Sequence, residues 1–198
     1  QQNALLFYRM GDFYEMFFED AEIGANVLGI TLTKRGKSDG DDIPMCGVPV
    51  HAVDGYMARL IKAGHRVALC EQVEDPATQK QRGGKGPLKR AVVRVFTPGT
   101  LTEDELLSPR QHNYLAALGR SGETIAVAWA DMSTGDFMVK EIPEASLETL
   151  IAQLDPSELV VPNNFACPDW LGAAAVCLSE QAPALFDSTS GRQMLESF

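Results

Sequence analysis

The sequence predicts an α/β fold divided into two domains, and three observations carry that prediction. Over residues 1–100 short apolar runs alternate with amphipathic ones, as strands alternate with helices in a small mixed sheet. Beyond them come three closely spaced strand patterns with hairpin turns between, then a helix and a further strand. The charge divides as well. Residues 1–100 carry 13 Lys and Arg against 12 Asp and Glu, whereas residues 101–198 carry 4 against 15. The net charge of −10 thus belongs almost wholly to the second half. The first half can approach a polyanion; the second would repel one.

The first element is an apolar run, Ala4 to Tyr8, read as a buried strand. It breaks at Gly11-Asp12 and is expected to turn into the acidic first turn of a helix. Phe13, Tyr14 and Glu15 stand at that break, where an aromatic projects toward a neighbouring loop or a ligand and Glu15 adds an acceptor beside it. Tyr14 is expected to pack inward. Phe17 to Leu28 reads as a helix, with Glu19, Asp20 and Glu22 near its start and Gly29 past its end. Ile30 to Thr33 is a short extended piece entering Lys34-Arg35-Gly36-Lys37 and a polar loop, Ser38 to Asp42. Ile43 to Pro49 holds too many breakers for a long strand and reads as a bent connection. Asp54 is the expected N-cap of a helix burying Tyr56, Met57, Leu60 and Ile61 and closed by Gly64. Val67 to Cys70 and Ala91 to Phe96 are expected as buried strands, with a Gly-, Lys- and Arg-rich loop from Gln79 to Lys89 between them.

Pro98, Gly99 and Pro109 mark a linker, assigned to residues 101–110, between domains at 1–100 and 111–198. His112 to Leu118, Thr124 to Ala130 and Asp136 to Ile142 then form a meander. Pro143-Glu144 opens a helix with Leu147, Leu150, Ile151 and Leu154 on one face, and Leu159 to Val161 is the next strand. That order is the opening of a ribonuclease-H-like fold. A helix start near Phe198 makes this second domain read as truncated, and Gln1 in place of Met reads as a fragment.

Composition excludes several classes. An apolar share of 45% with 22% charged residues is that of an ordinary globular protein. No apolar run approaches the roughly 20 residues of a membrane-spanning helix, and no signal peptide opens the chain. Cys46, Cys70, Cys167 and Cys177 have no Cys-x-x-Cys spacing and suit reduced, mostly buried thiols of a cytoplasmic protein. Arg82-Gly83-Gly84-Lys85-Gly86 lacks the Ser or Thr that must follow Lys in a nucleotide-binding loop. Asp131 ends a strand where a metal-dependent nuclease would place a carboxylate, with Asp155 and Glu158 near a later strand. The competing reading is a hairpin-turn Asp bonded to local amides. His51, His65 and His112 stand beside no nucleophile-elbow Ser. Nucleic-acid binding by the first domain is the remaining class. Lys34, Arg35 and Lys37, then Lys80, Arg82, Lys85, Lys89, Arg90 and Arg94, are the basic groups that could position a phosphate backbone around the Phe13 turn.

Five blocks in one order give this chain a resemblance to a known family. They are Phe7-Tyr8-Arg9-Met10-Gly11-Asp12-Phe13-Tyr14-Glu15, Leu32-Thr33-Lys34-Arg35-Gly36, Ile43-Pro44-Met45-Cys46-Gly47-Val48-Pro49, Glu71-Gln72-Val73-Glu74-Asp75-Pro76 and Val95-Phe96-Thr97-Pro98-Gly99-Thr100. The chain resembles the bacterial MutS mismatch-repair family, densely over the first hundred residues and more loosely to Phe198. The resemblance implies a mismatch-binding domain followed by the start of a connector domain. It implies double-stranded DNA with mismatches or small loops as the partner and no catalysis in this stretch. Phe13 and Glu15 fall on the family's Phe-x-Glu motif, which implies that Phe13 enters the minor groove and stacks on a mispaired base while Glu15 hydrogen-bonds it. Met10, Thr33, Lys34, Arg35, Met45, His51 and Arg94 are expected neighbours of that site. For a full-length member the family implies ATP and magnesium, a homodimer and a downstream MutL-like partner. An acidic second half docking a repair protein is a further reading. The energetics of wedging are coherent: unstacking costs a few kcal/mol per step, and stacking on an aromatic returns roughly 1–3 kcal/mol. A mismatch, already short of pairing, kinks more cheaply than a Watson–Crick step.

Overall fold

The computed structural model describes residues 4–74, 88–103, 107–108, 111–173 and 176–197. The chain divides into two compact units, Gln1–Thr97 and Pro98–Phe198. The basic run from Lys80 to Lys85 and the proposed linker residues Pro109 and Arg110 lie outside the described residues.

The first unit is a six-stranded mixed sheet in the order β3-β4-β2-β1-β5-β6. Its strands are β1 (Ala4–Met10), β2 (Phe13–Phe17), β3 (Thr33–Ser38), β4 (Asp41–Pro49), β5 (Arg66–Gln72) and β6 (Arg90–Phe96). Two helices accompany them, α1 (Phe18–Leu28) and α2 (Val53–Lys62). The break at Gly11-Asp12 is a hairpin turn and not a strand-to-helix turn, because Phe13–Phe17 pair back onto β1 and onward to β4. A run of Phe, Tyr, Glu, Met and Phe suits a strand flanked on both sides, and the helix waits until Phe18.

Four further expectations are corrected. The polar loop expected from Ser38 to Asp42 is shorter, the tip of a second hairpin, β3 on β4, with Asp39 and Gly40 in positive φ and Ser38, Asp41 and Asp42 already in the strands. Ile43 to Pro49 is part of a nine-residue strand despite two prolines. Pro44 faces Lys34 where the register slips, and Pro49 ends the strand, so neither interrupts a regular ladder. Asp54 lies inside the first turn of α2, where its charge meets the helix dipole; the N-cap position is Ala52. β6 is an edge strand with Val92, Val93 and Val95 exposed, where a buried one was expected.

Directly opposed residues share a face, so the register sorts the sheet into two. Leu5, Phe7, Met16, Cys46, Val48 and Val67 share the buried face. α1 lies against that face through small residues, Ala21, Gly24 and Ala25. A Cβ on Gly24 would stand 2.7 Å from the Sδ and Cε of Met16, which shows how close the helix comes. The Cys46 Sγ donates to the Ala21 carbonyl at 3.3 Å, and burial pushes this thiol up to about 11. Cys70 is also buried; Cys167 is exposed and Cys177 half-buried, so the thiols divide.

The second unit is a five-stranded mixed sheet, β11-β10-β7-β8-β9. β7 (Tyr114–Ser121), β8 (Thr124–Asp131) and β9 (Asp136–Pro143) form the expected antiparallel meander. α3 (Leu147–Leu154) leads to β10 (Glu158–Pro162), which runs parallel to β7. α4 (Asp169–Ala173), β11 (Cys177–Gln181) and α5 (Ser188–Glu196) complete it, β11 parallel to β10. Leu118, Ile125, Val127, Leu147, Ile151, Leu159 and Val161 form its core. Pro98–Thr100 belong to this unit. The Gly99 amide donates to buried Glu158, which also accepts from the Ser179 hydroxyl, and Asn113 donates to the Pro98 carbonyl.

Asp131, a candidate metal ligand in the sequence, is 2% exposed and spends both oxygens on neighbours. One accepts from the Ser133 amide and hydroxyl at 3.0 and 2.6 Å; the other accepts from the Asn113 amide at 3.1 Å and lies 3.3 Å from His112 Nδ1. Burial raises its pKa, but the bonds from Ser133, Asn113 and His112 outweigh that and bring it down to about 2. The stability Asp131 contributes is therefore complete above the unfolded pKa, about 3.9, and is lost as pH falls through about 2. Asp131→Asn turns an amide donor toward these donors and is expected to cost about 1–3 kcal/mol near neutral pH. Urea unfolding at pH 7 and at pH 2.5 checks this, with the gap from the parent narrowing at the lower pH.

Candidate nucleic-acid interface

The site is built on the β1–β2 hairpin. Met10 pairs with Phe13 across a two-residue turn whose first residue, Gly11, has φ +60°. Glycine enters that region without the Cβ penalty borne by other residues, and two-residue hairpins use it at this position. Arg9 Nε donates to the Gly11 carbonyl at 2.6 Å, and the Val50 amide donates to the Asp12 carbonyl at 2.9 Å. The turn is thus held from within the hairpin and from the end of β4.

Alternation along β2 then separates its side chains. Tyr14 and Met16 point to the helix-covered face, as expected for Tyr14, which is buried. Its hydroxyl reaches across β1 to donate to Glu71 on β5, while the Arg9 guanidinium lies 5.4 Å from its ring centroid. Burial, then the Glu71 carboxylate, push the Tyr14 phenol above its ordinary range. One row of side chains therefore ties three strands together directly beneath the hairpin tip.

Phe13, Glu15 and Phe17 lie on the opposite face, and the two motif residues differ sharply there. Phe13 is 47% exposed, whereas Glu15 is 8% exposed. Both Glu15 oxygens accept from Arg35 Nη1 at 2.5 Å. Tyr8 stands opposite Glu15 on β1, and Arg90 from β6 lies 5.0 Å over the Tyr8 ring. Arg90 also donates to the Arg9 carbonyl at 3.3 Å, and its Nη2 approaches the Met10 Sδ at 3.7 Å. The face thus runs from Arg90 through Tyr8 and Met10 to Phe13, Glu15 and Arg35: two arginines flank an aromatic and an acid.

The remaining expected neighbours divide. Thr33 opposes Met45, which in turn opposes Phe17, so both share the face of Glu15. His51 is exposed in the short turn after Pro49, the residue opposite Phe13. Lys34 points to the other face and is ion-paired with Asp42 at 2.7 Å. Arg94 is not brought to this row: it opposes Leu69 on the Phe7 side and stacks 4.2 Å over the Phe96 ring. Sequence reasoning named Arg90 only as one of the basic group and missed its place beside Tyr8, as well as the Arg9–Tyr14–Glu71 row, because β5 and β6 become neighbours of β1 only through pairing. Among the described residues no three His, Cys, Asp or Glu side chains come together to hold a metal, and no helix is long and apolar enough to cross a membrane.

Residues 1–105 match the family model of MutS domain I, and residues 113–198 that of MutS domain II. The chain belongs to the MutS family. Its two mixed sheets are those of MutS domain I and of domain II, the connector. Among its relatives is a DNA mismatch repair protein MutS of Cereibacter sphaeroides, 53% identical over 192 residues, covering 97% of this chain and 22% of the relative. The Nitrobacter hamburgensis protein of the same description is 59% identical over 162 residues, covering 79% and 18%. That of Rhizobium meliloti is 51% identical over 207 residues, covering 99% and 22%. The chain thus spans about a fifth of the length of these curated relatives.

Gly11 supplies a test of the scaffold. A Cβ there meets nothing within 4 Å, so Gly11→Ala adds no clash and carries only the cost of positive φ. That cost is about 1–2 kcal/mol. Denaturant unfolding of the variant is expected to show that loss with an unchanged slope.

Proposed function

We propose that this chain is the mismatch-recognition part of a DNA mismatch repair protein, binding duplex DNA at mispaired or unpaired bases through the Phe13 face. The observation that carries the reading is the contrast along β2 in a MutS domain I. A large aromatic stands out at a hairpin tip, and two residues on, a carboxylate is sunk into the sheet beside an arginine. Phe13 acts as the wedge between base steps in the minor groove, and Glu15 accepts a hydrogen bond from the base so exposed. Met10, Thr33, Arg35, Met45 and His51 lie around it; Lys34 and Arg94 contribute at the phosphate backbone away from the wedge.

Recognition here is a binding act, and the chain itself is proposed as non-enzymatic. ATP and magnesium, homodimer formation and a MutL-like partner belong in this proposal to the longer protein, with a cytoplasmic setting. The one Gly-rich basic stretch, Arg82 to Gly86, does not fit the phosphate-binding loop pattern: no Ser or Thr follows Lys85, where Gly86 and Pro87 stand.

The test is a binding titration with a full-length MutS protein carrying this chain as its first two domains. Phe13→Ala is expected to remove most of the preference for a mismatched over a matched duplex, a fall of roughly 10- to 100-fold for the loss of one stacking contact. An unchanged preference overturns the reading. In the same titration, Glu15→Ala removes the carboxylate beside the wedge, a negative charge that faces the phosphates. Matched-duplex binding is then expected to stay equal or tighten, with a salt dependence close to the parent's.

A further inference from the structure

We infer that Arg35 is a specificity-setting residue that masks Glu15 and holds it ready for a base, and does not serve as a phosphate anchor. The inference rests on the mismatch-binding reading above and assigns a role within that site. Arg35 sits on β3, two strands from Glu15, and its guanidinium spans β4 to reach it. One nitrogen, Nη1, stands 2.5 Å from each carboxylate oxygen. The residue facing Glu15 on the intervening strand is Gly47, so no side chain of β4 crowds the carboxylate from that position. A Cβ there would lie 3.6 Å from the Glu15 Cγ.

The electrostatics explain why such a partner is needed. A bare carboxylate sunk into a protein surface is costly, and beside DNA it would also face a dense row of phosphates. The ion pair removes both penalties, so Glu15 meets a duplex as part of a neutral couple. A carboxylate has about four acceptor positions. One guanidinium nitrogen bridging its two oxygens leaves acceptor capacity for a base N–H. The wedge residue and the acceptor thus share a face, and a third strand supplies the charge that lets the acceptor remain there. Arg90, the other arginine on this face, is engaged with the Tyr8 ring, the Arg9 carbonyl and Met10. Among the described residues, Arg35 is the ion-pair partner of Glu15.

A double-mutant cycle in the full-length MutS protein carrying this chain tests the assignment. The parent, Arg35→Gln, Glu15→Gln and the double variant are titrated with a matched duplex and a single-mismatch duplex over a range of salt. Arg35→Gln is expected to weaken matched-duplex binding about 10-fold while Glu15 is present, and less than about 2-fold in the Glu15→Gln background. Arg35→Lys, which keeps the charge but not the fork, is expected to recover part of the loss. Equal losses in both backgrounds, with a salt slope shallower by about one, would make Arg35 an ordinary phosphate contact and overturn the proposal. Thermal unfolding separates a folding defect from this outcome: only variants melting near the parent enter the cycle, and Arg35→Lys takes the place of Arg35→Gln if the latter does not. The mismatch-binding reading stands or falls separately, on whether Phe13→Ala loses its preference. Mismatch preference with an additive Arg35 and Glu15 cycle sinks this assignment alone.

Discussion

Strand alternation along β2 is the constraint from which the rest of the first unit follows. A period of two puts Phe13, Glu15 and Phe17 on one face and Tyr14 and Met16 on the other. The Tyr14 and Met16 side becomes core because α1 lays its small residues against it, and Gly24 lets the helix come down onto Met16. The opposite side is left with an aromatic, an acid and a second aromatic, a set that does not bury itself. Arg35 and Arg90 approach that side from strands on either flank, one for the acid and one for the Tyr8 ring. Had the hairpin slipped by one residue, Tyr14 would stand out and Glu15 would enter the core. The two-residue turn at Gly11-Asp12 fixes the register that prevents it.

Much of this was legible in the residues and some was not. The apolar run of β1, the two helices and the meander of the second unit announce themselves by period, and their boundaries lie within a few residues of the observed ones. The sequence misled wherever pairing partners decide the outcome. Phe13 to Phe17 reads as the entry to a helix because acids follow it, yet β1 and β4 flank it and claim it as a strand. Pro44 argues against a strand locally, but the slip beside Lys34 absorbs it. Ala91 to Phe96 has the composition of a buried strand and lies at an edge, a difference that composition cannot encode. Arg94 looked like a member of the basic set by number, whereas the slip between Leu69 and Cys70 and its cross-strand partner turn it away. Arg35 was named, but its partner could not be, because β4 separates the two strands.

The two units each bury a carboxylate, and comparing them shows what distinguishes a structural acid from one that can meet a ligand. Asp131 collects two amides, a hydroxyl and a histidine nitrogen, all within a few residues of the turn it stabilises or just ahead of the adjoining strand. Its oxygens have little left to give, and the depressed pKa records how well they are satisfied. Asp131 holds a turn. Glu15 is almost as hidden, yet the ion pair that covers it comes from one side chain, Arg35, whose own surface is half exposed. A carboxylate satisfied by a fixed cage of neighbours has no reason to change partners. One satisfied by a single half-exposed cation keeps acceptor capacity for a further partner.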